Sequence, residues 1–94
     1  MVVPRGENRT KIVCTIGPAT RAPETLRALV RAGMNVARVN YSHGTADERE
    51  ETIHLVRRIA AEERTVVAVL ADLQGPKLRL GDLARPFDLA VGDR

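Results

Sequence analysis

The chain has no tryptophan, one phenylalanine and one tyrosine in 94 residues. That scarcity removes the rows of stacking platforms on which single-stranded nucleic acid is bound. Charge of one sign is not concentrated either: fifteen Lys and Arg against twelve Asp and Glu leave +3, with the basic residues spread through every segment. Spread charge of this size serves solubility, and nucleic acid is not an expected partner. The single Cys14 excludes an internal disulfide, and its apolar neighbours in "KIVCTI" make it a small core side chain instead of a nucleophile. No apolar run approaches the ~20 residues of a membrane span, and "MVVPRGENRT" lacks the apolar core of a signal peptide. The expected compartment is the cytoplasm, with no membrane role. Neither GxGxxG nor GxxxxGK followed by Ser or Thr occurs, so the familiar glycine-rich phosphate loops are absent.

What is present is an alternation. "KIVCTI" (11 to 16) is a β-branched run halted by Gly17-Pro18. "PETLRALVRAG" then places Pro at a first helical position, Leu26, Leu29 and Val30 at helical spacing, and Gly33 as the stop, although Ala22 is a poor N-cap. A second strand, "MNVARVN", leads into a helix whose start is marked by Thr45 and Glu48, a capping box, with Asp47, Glu50 and Glu51 adding charge that suits the helix dipole. Its apolar face is Ile53, Val56, Ile59 and Ala60. A third strand, "TVVAVLAD", is apolar at nearly every position, which predicts burial on both faces, as in a parallel sheet covered by helices. The order β-α-β-α-β predicts a right-handed parallel arrangement, either an open doubly wound sheet or an arc of a (β/α)8 barrel. After Lys77 the pattern changes to turn residues and a short alternation at Phe87, Leu89 and Val91, the expected opening of a β-rich unit.

In either fold, ligands bind at the carboxyl ends of the strands. "RVNYSHG" (38 to 44) stands at such an end. Strand periodicity puts Val36, Arg38 and Asn40 on one side and Ala37 and Val39 on the other, and Ser42 joins the first set if the extended path continues. Arginine suits bidentate capture of phosphate or carboxylate, and amide and hydroxyl oxygens suit a hard cation. The same residues also fit a satisfied polar cluster capping a strand. Asp72 ends the third strand in the layer where Asn40 ends the second, and fits either a structural ion pair with Arg38 or a cation site. Lys77 and Arg79 add cations that anionic ligands would balance. His43, in the strand-end loop, is a candidate ligand contact, whereas His54 reads as helix surface.

The series "TKIVCTIGPAT", "AGMNVARVNYSHG" and "VAVLADLQGPKLRLG", in this order and spacing, closely resembles the N-terminal part of the pyruvate kinase family. The resemblance covers residues 10–83 strongly and the tail "RPFDLAVGDR" less specifically. It implies an N-terminal extension at 1–9, the first three strands of a (β/α)8 TIM barrel at 10–83, and the start of an inserted β lid domain at 84–94. It also implies phosphoryl transfer from phosphoenolpyruvate to ADP, giving pyruvate and ATP. By the family's motifs, Arg38 contacts substrate near the transferring phosphoryl. Asn40, Ser42, His43 and Arg79 belong to the nucleotide site, and potassium is held by Asn40, Ser42, Asp72 and the Leu73 carbonyl. One departure stands out: many relatives read Asp-Thr-Lys-Gly-Pro-Glu where this chain reads "DLQGPK", which puts Lys77 where its ammonium can replace potassium. The family's catalytic Lys and its two magnesium-binding carboxylates lie beyond position 94, and a complete barrel takes about 250 residues. The 94 residues are therefore expected to be an inactive N-terminal piece of an enzyme that is, by family, a homo-oligomer, a tetramer. The alternatives are a free-standing phosphate- or nucleotide-binding module, a docking fragment, or a remnant without ligand.

Overall fold

The computed structural model describes residues 9–94, so eight of the nine positions of the expected N-terminal extension lie outside the described residues. The elements follow the predicted order: β1 (Val13–Ile16), α1 (Pro23–Ala32), β2 (Val36–Asn40), α2 (Ala46–Glu62) and β3 (Ala68–Asp72). The strands form one parallel sheet in the order β1-β2-β3, with Thr15 beside Arg38 beside Leu70, and Asn40 beside Asp72.

Local chemistry explains the boundaries. Ala22 supplies no side-chain cap, so α1 relies on Pro23, whose missing N–H needs no partner there. Gly33 closes α1 at φ 117°, and Met34 N–H returns to the Leu29 carbonyl at 3.0 Å, satisfying an end that a non-glycine residue would strain. Helix α2 begins with the predicted capping box: Thr45 Oγ1 accepts the Glu48 N–H at 3.2 Å, and the Glu48 carboxylate accepts the Thr45 N–H at 2.9 Å. The first strand is shorter than predicted. Lys11 and Ile12 precede it, and Ile12 instead exchanges bonds with Asn35 and Val36 at the foot of the sheet.

Helices α1 and α2 cover one sheet face. Leu26, Val30, Met34, Ala37, Val56 and Ile59 are each at most 2% exposed and form the core with Ile16, and Cys14 packs against it half-buried, as its neighbours predicted. Ile53 is only half-buried, so the apolar face of α2 centres on Val56, Ile59 and Ala60.

The third strand corrects the sequence reading. Burial on both faces was predicted, yet Leu70 is 44% exposed and Val66 is 86% exposed. Both helices lie on the Ala37 and Val39 side, and no described element covers the face that carries Val13, Arg38 and Leu70. The last segment also differs. Residues 73–94 form no strand, and Phe87, Leu89 and Val91 stand exposed, because no described strand pairs with them.

Candidate functional site

Arg38 sits on the uncovered sheet face, between Thr15 of β1 and Leu70 of β3. Its Nε donates to Asp72 Oδ2 at 3.0 Å, one terminal nitrogen donates to the same oxygen, and the other donates to Thr15 Oγ1 at 3.0 Å. All three nitrogens are thus directed by neighbouring strands. The ion pair foreseen between Arg38 and Asp72 forms, and Thr15, which the sequence reading missed, completes it. The parallel register carries the signal that would have found Thr15, since it is the residue directly beside Arg38.

Beyond Asn40 the chain turns. Asn40 Oδ1 accepts the Ser42 N–H at 3.0 Å, and the Asn40 carbonyl accepts the His43 N–H at 3.3 Å. Ser42 therefore reaches the rim through a side-chain-capped turn and not by continued extension. Lys77 Nζ donates to Ser42 Oγ at 3.2 Å. The Tyr41 N–H donates to the Asp72 carbonyl at 2.9 Å, so the ends of β2 and β3 stay together past the last ladder pair. Asn40, Ser42, Asp72 and Lys77 are in this way gathered at one rim. Leu73 follows Asp72 with its side chain exposed, and Arg79 lies in the extended segment with no hydrogen bond or ion pair to the rim.

The oxygen groups are already engaged. Asn40 Oδ1 holds a backbone N–H, Ser42 Oγ holds the Lys77 ammonium, and Asp72 Oδ2 holds the guanidinium. Among the described residues, no three His, Cys, Asp or Glu side chains come together as a metal group.

Beside the rim lies a cleft of about 470 Å³ between the loop after β1 and the start of α2, lined by Thr15, Pro18, Arg21, Asn40, His43 and Arg49 among others. Its first wall is a turn in which the Thr20 and Arg21 N–H groups both reach the Gly17 carbonyl at 3.0 Å. Its second wall is fixed by Glu48. The Thr45 N–H, followed by Arg21 at 3.4 Å, holds that carboxyl below its ordinary range. Gly44 is required between the loop and the helix: its φ is 74°, and a Cβ there would lie 3.0 Å from Glu48 Oε2. Arg49 donates through Nη1 to the carbonyls of His43 at 3.1 Å and Gly44 at 2.9 Å, and lies 4.8 Å from the Tyr41 ring centroid. Its Nε is out of solvent without a partner, a loss worth about 1 to 3 kcal/mol that the other contacts must offset. The sequence reading missed Arg49 as well. The signal was available, since helical side chains point back toward the N-terminus and position 49 lies one turn after the cap.

Chemically, the rim offers a pinned guanidinium, an ammonium and an imidazole at the ends of parallel strands, next to a helix start. A pinned guanidinium with an ammonium beside it suits an anionic ligand more than covalent chemistry.

A parallel α/β chain of βα units, with its charged groups gathered where the strands end, is the class that fold and rim define. The family described as "Pyruvate kinase, barrel domain" matches residues 7–94. The chain belongs to the pyruvate kinase family. It is 46% identical over 86 residues to a pyruvate kinase of Chlamydia muridarum, covering 92% of this chain and 18% of that protein. A pyruvate kinase of Sporosarcina psychrophila is 52% identical over 87 residues, 92% of this chain and 15% of its own length. One from Mycobacterium tuberculosis is 54% identical over 76 residues, 81% and 16% respectively. The chain thus spans less than a fifth of these curated relatives. Among the described residues, no helix is long and apolar enough to cross a membrane.

Proposed function

We propose that these residues are the N-terminal part of a pyruvate kinase, a glycolytic phosphotransferase that moves the phosphoryl group of phosphoenolpyruvate to ADP. Residues 10–83 then form the first three βα positions of a (β/α)8 barrel, and 84–94 open the inserted lid. The observation that carries this reading is the pinning of Arg38 by Asp72 and Thr15 at the strand ends. Phosphoryl transfer asks the protein for positioned positive charge and little covalent work. A guanidinium oriented before the ligand arrives meets that need, because it is not reorganised when charge shifts between oxygens. Asn40 and His43, which line the adjoining cleft, and Ser42 at the rim serve the nucleotide. Arg79 belongs to the same set by its place in "GPKLR", and reaching the nucleotide requires segment 73–94 to fold toward the rim.

Three of the four proposed potassium donors already accept N–H donors, and at Ser42 that donor is the Lys77 ammonium. The Lys77 ammonium already sits on Ser42 Oγ, and its positive charge would repel a second cation brought to the same oxygens. Lys77 is accordingly proposed to supply the monovalent charge. Magnesium is proposed to be held by carboxylates outside these 94 residues. The setting is the cytoplasm, and the whole enzyme is a homo-oligomer, a tetramer by family. In a complete enzyme carrying this segment, Arg38→Met is expected to lower kcat by about 10² to 10³, as loss of a preorganised donor does. A kcat within twofold of the unaltered enzyme would remove Arg38 from the transfer step.

The cleft beside the rim, lined by Arg21, Asn40, His43 and Arg49, favours a second reading: a nucleotide- or phosphate-binding module without chemistry. Isothermal titration of the 94-residue chain with ADP separates the two. Saturable binding by a folded monomer selects the module.

A further inference from the structure

We propose that Arg49 is a positioning residue for the nucleotide: it fixes the loop 41–44 so that His43 faces the cleft, and so deepens the reading of this rim as the nucleotide side of the site. Arg49 does not serve the helix that carries it. The start of α2 is already closed by the capping box between Thr45 and Glu48, and a cation in the first turns of a helix opposes the dipole that favours Asp47 and Glu48 there. Its contacts instead run backward to the loop. Nη1 holds the carbonyls of His43 and Gly44, and the guanidinium lies over Tyr41. These three residues flank or contain the joint at Gly44, whose φ of 74° gives the loop its freest backbone position.

His43 is exposed, and its own backbone N–H is held only by the Asn40 carbonyl at 3.3 Å. Without Arg49 the His43–Gly44 peptide would be free to turn, and the Gly44–Thr45 peptide would be held only through the Thr45 N–H bond to Glu48. A carbonyl that turned into the cleft would set a partial negative charge against an anionic ligand, whereas a carbonyl held by the guanidinium is directed and neutralised. The buried Nε, which gives up its hydration without a partner, shows the side chain folded down onto the loop instead of reaching into water.

The test uses a complete pyruvate kinase with these residues as its N-terminal segment, and the variants R49M, R49K and H43A. R49M is expected to raise KM for ADP about tenfold, while kcat and KM for phosphoenolpyruvate move less than about twofold. R49K, which keeps the charge but not the planar fork, is expected to recover part of that loss. An unchanged KM for ADP in R49M overturns the proposal, and so does a lowered Tm with equal effects on both substrates, the mark of a merely structural role. H43A separates this from the underlying reading. If H43A raises KM for ADP and R49M does not, the positioning role alone fails; if neither raises it, the nucleotide reading of the rim fails with it. Should R49M not fold, R49K decides: a rise of about threefold or more in KM for ADP supports the role, and no rise overturns it.

Discussion

Asp72 touches Arg38 through a single oxygen while Lys77 takes Ser42, and this division of partners decides what each cation can do. An arginine held through Nε and a terminal nitrogen keeps its plane, whereas a lysine is a compact charge on a flexible stem. Lys77 can therefore stand where a hydrated ion would, without imposing geometry on the ligand. Assayed without potassium, a complete enzyme carrying this segment is expected to keep its activity within about twofold, and Lys77→Glu to make activity depend on added potassium. A strong potassium requirement in the unaltered enzyme would sink the idea. Much of this rim was legible in the sequence, because strand alternation alone put Arg38 and Asn40 on one side and the strand ends brought Asp72 level with Asn40. Thr15 was not, because its partner Arg38 belongs to another motif and spacing within one motif cannot show a contact between two; Arg49 could have been, since its partners His43 and Gly44 stand just before it in the chain.

The two helices are joined at their exposed edge by a cluster that runs against local rules. Glu62 and Glu63 end α2, where the helix dipole disfavours negative charge, and the last turn has no basic residue. Helix α1 supplies what is missing: Arg27 pairs with both glutamates, at 2.7 Å to Glu63, and Arg31 reaches Glu63 at 3.0 Å. Arg31, then Arg27, hold the Glu63 carboxyl below its ordinary range, while Glu62 and Glu63 push the Arg27 guanidinium further up. A carboxyl depressed in the folded state stabilises it above the unfolded value, and that contribution fades as pH falls through the folded value. Thermal midpoints are thus expected to drop below about pH 4.5, and Glu63→Gln to flatten that drop. An identical pH profile for the variant, followed by circular dichroism, would show the cluster to be idle. The capping box of α2 could be read from Thr45 and Glu48 because it is local. The clamp could not, since it depends on the angle at which α1 and α2 meet.

As a whole, the chain is long and thin for its size. Its radius of gyration is 18.1 Å, against about 12 Å for a compact domain of this length, because residues 73–94 run out without pairing. Leu78, Leu80 and Val91 are almost fully exposed, and among the described residues nothing covers one face of the sheet. Among the described residues the sheet is open on one side and at both edges, and so lacks the walls that exclude water during group transfer. The 94-residue chain is therefore expected to form no pyruvate in a coupled assay with phosphoenolpyruvate, ADP and magnesium. Magnesium-dependent turnover by this chain alone would refute that. The β-α-β-α-β order was readable from period and punctuation, but the bare face was not, because a run of apolar residues reports what a strand is suited to pack against and not what is there. The rim has one more property. Its bonds join residues 23, 34 and 35 positions apart, Thr15 with Arg38, Arg38 with Asp72, and Ser42 with Lys77. On a ribosome, where domains fold as they emerge at roughly 5 to 20 residues per second, Arg38 waits for Asp72 and Ser42 for Lys77, so the anion-facing charges are assembled by the third strand and the segment after it and not by the strand that carries Arg38.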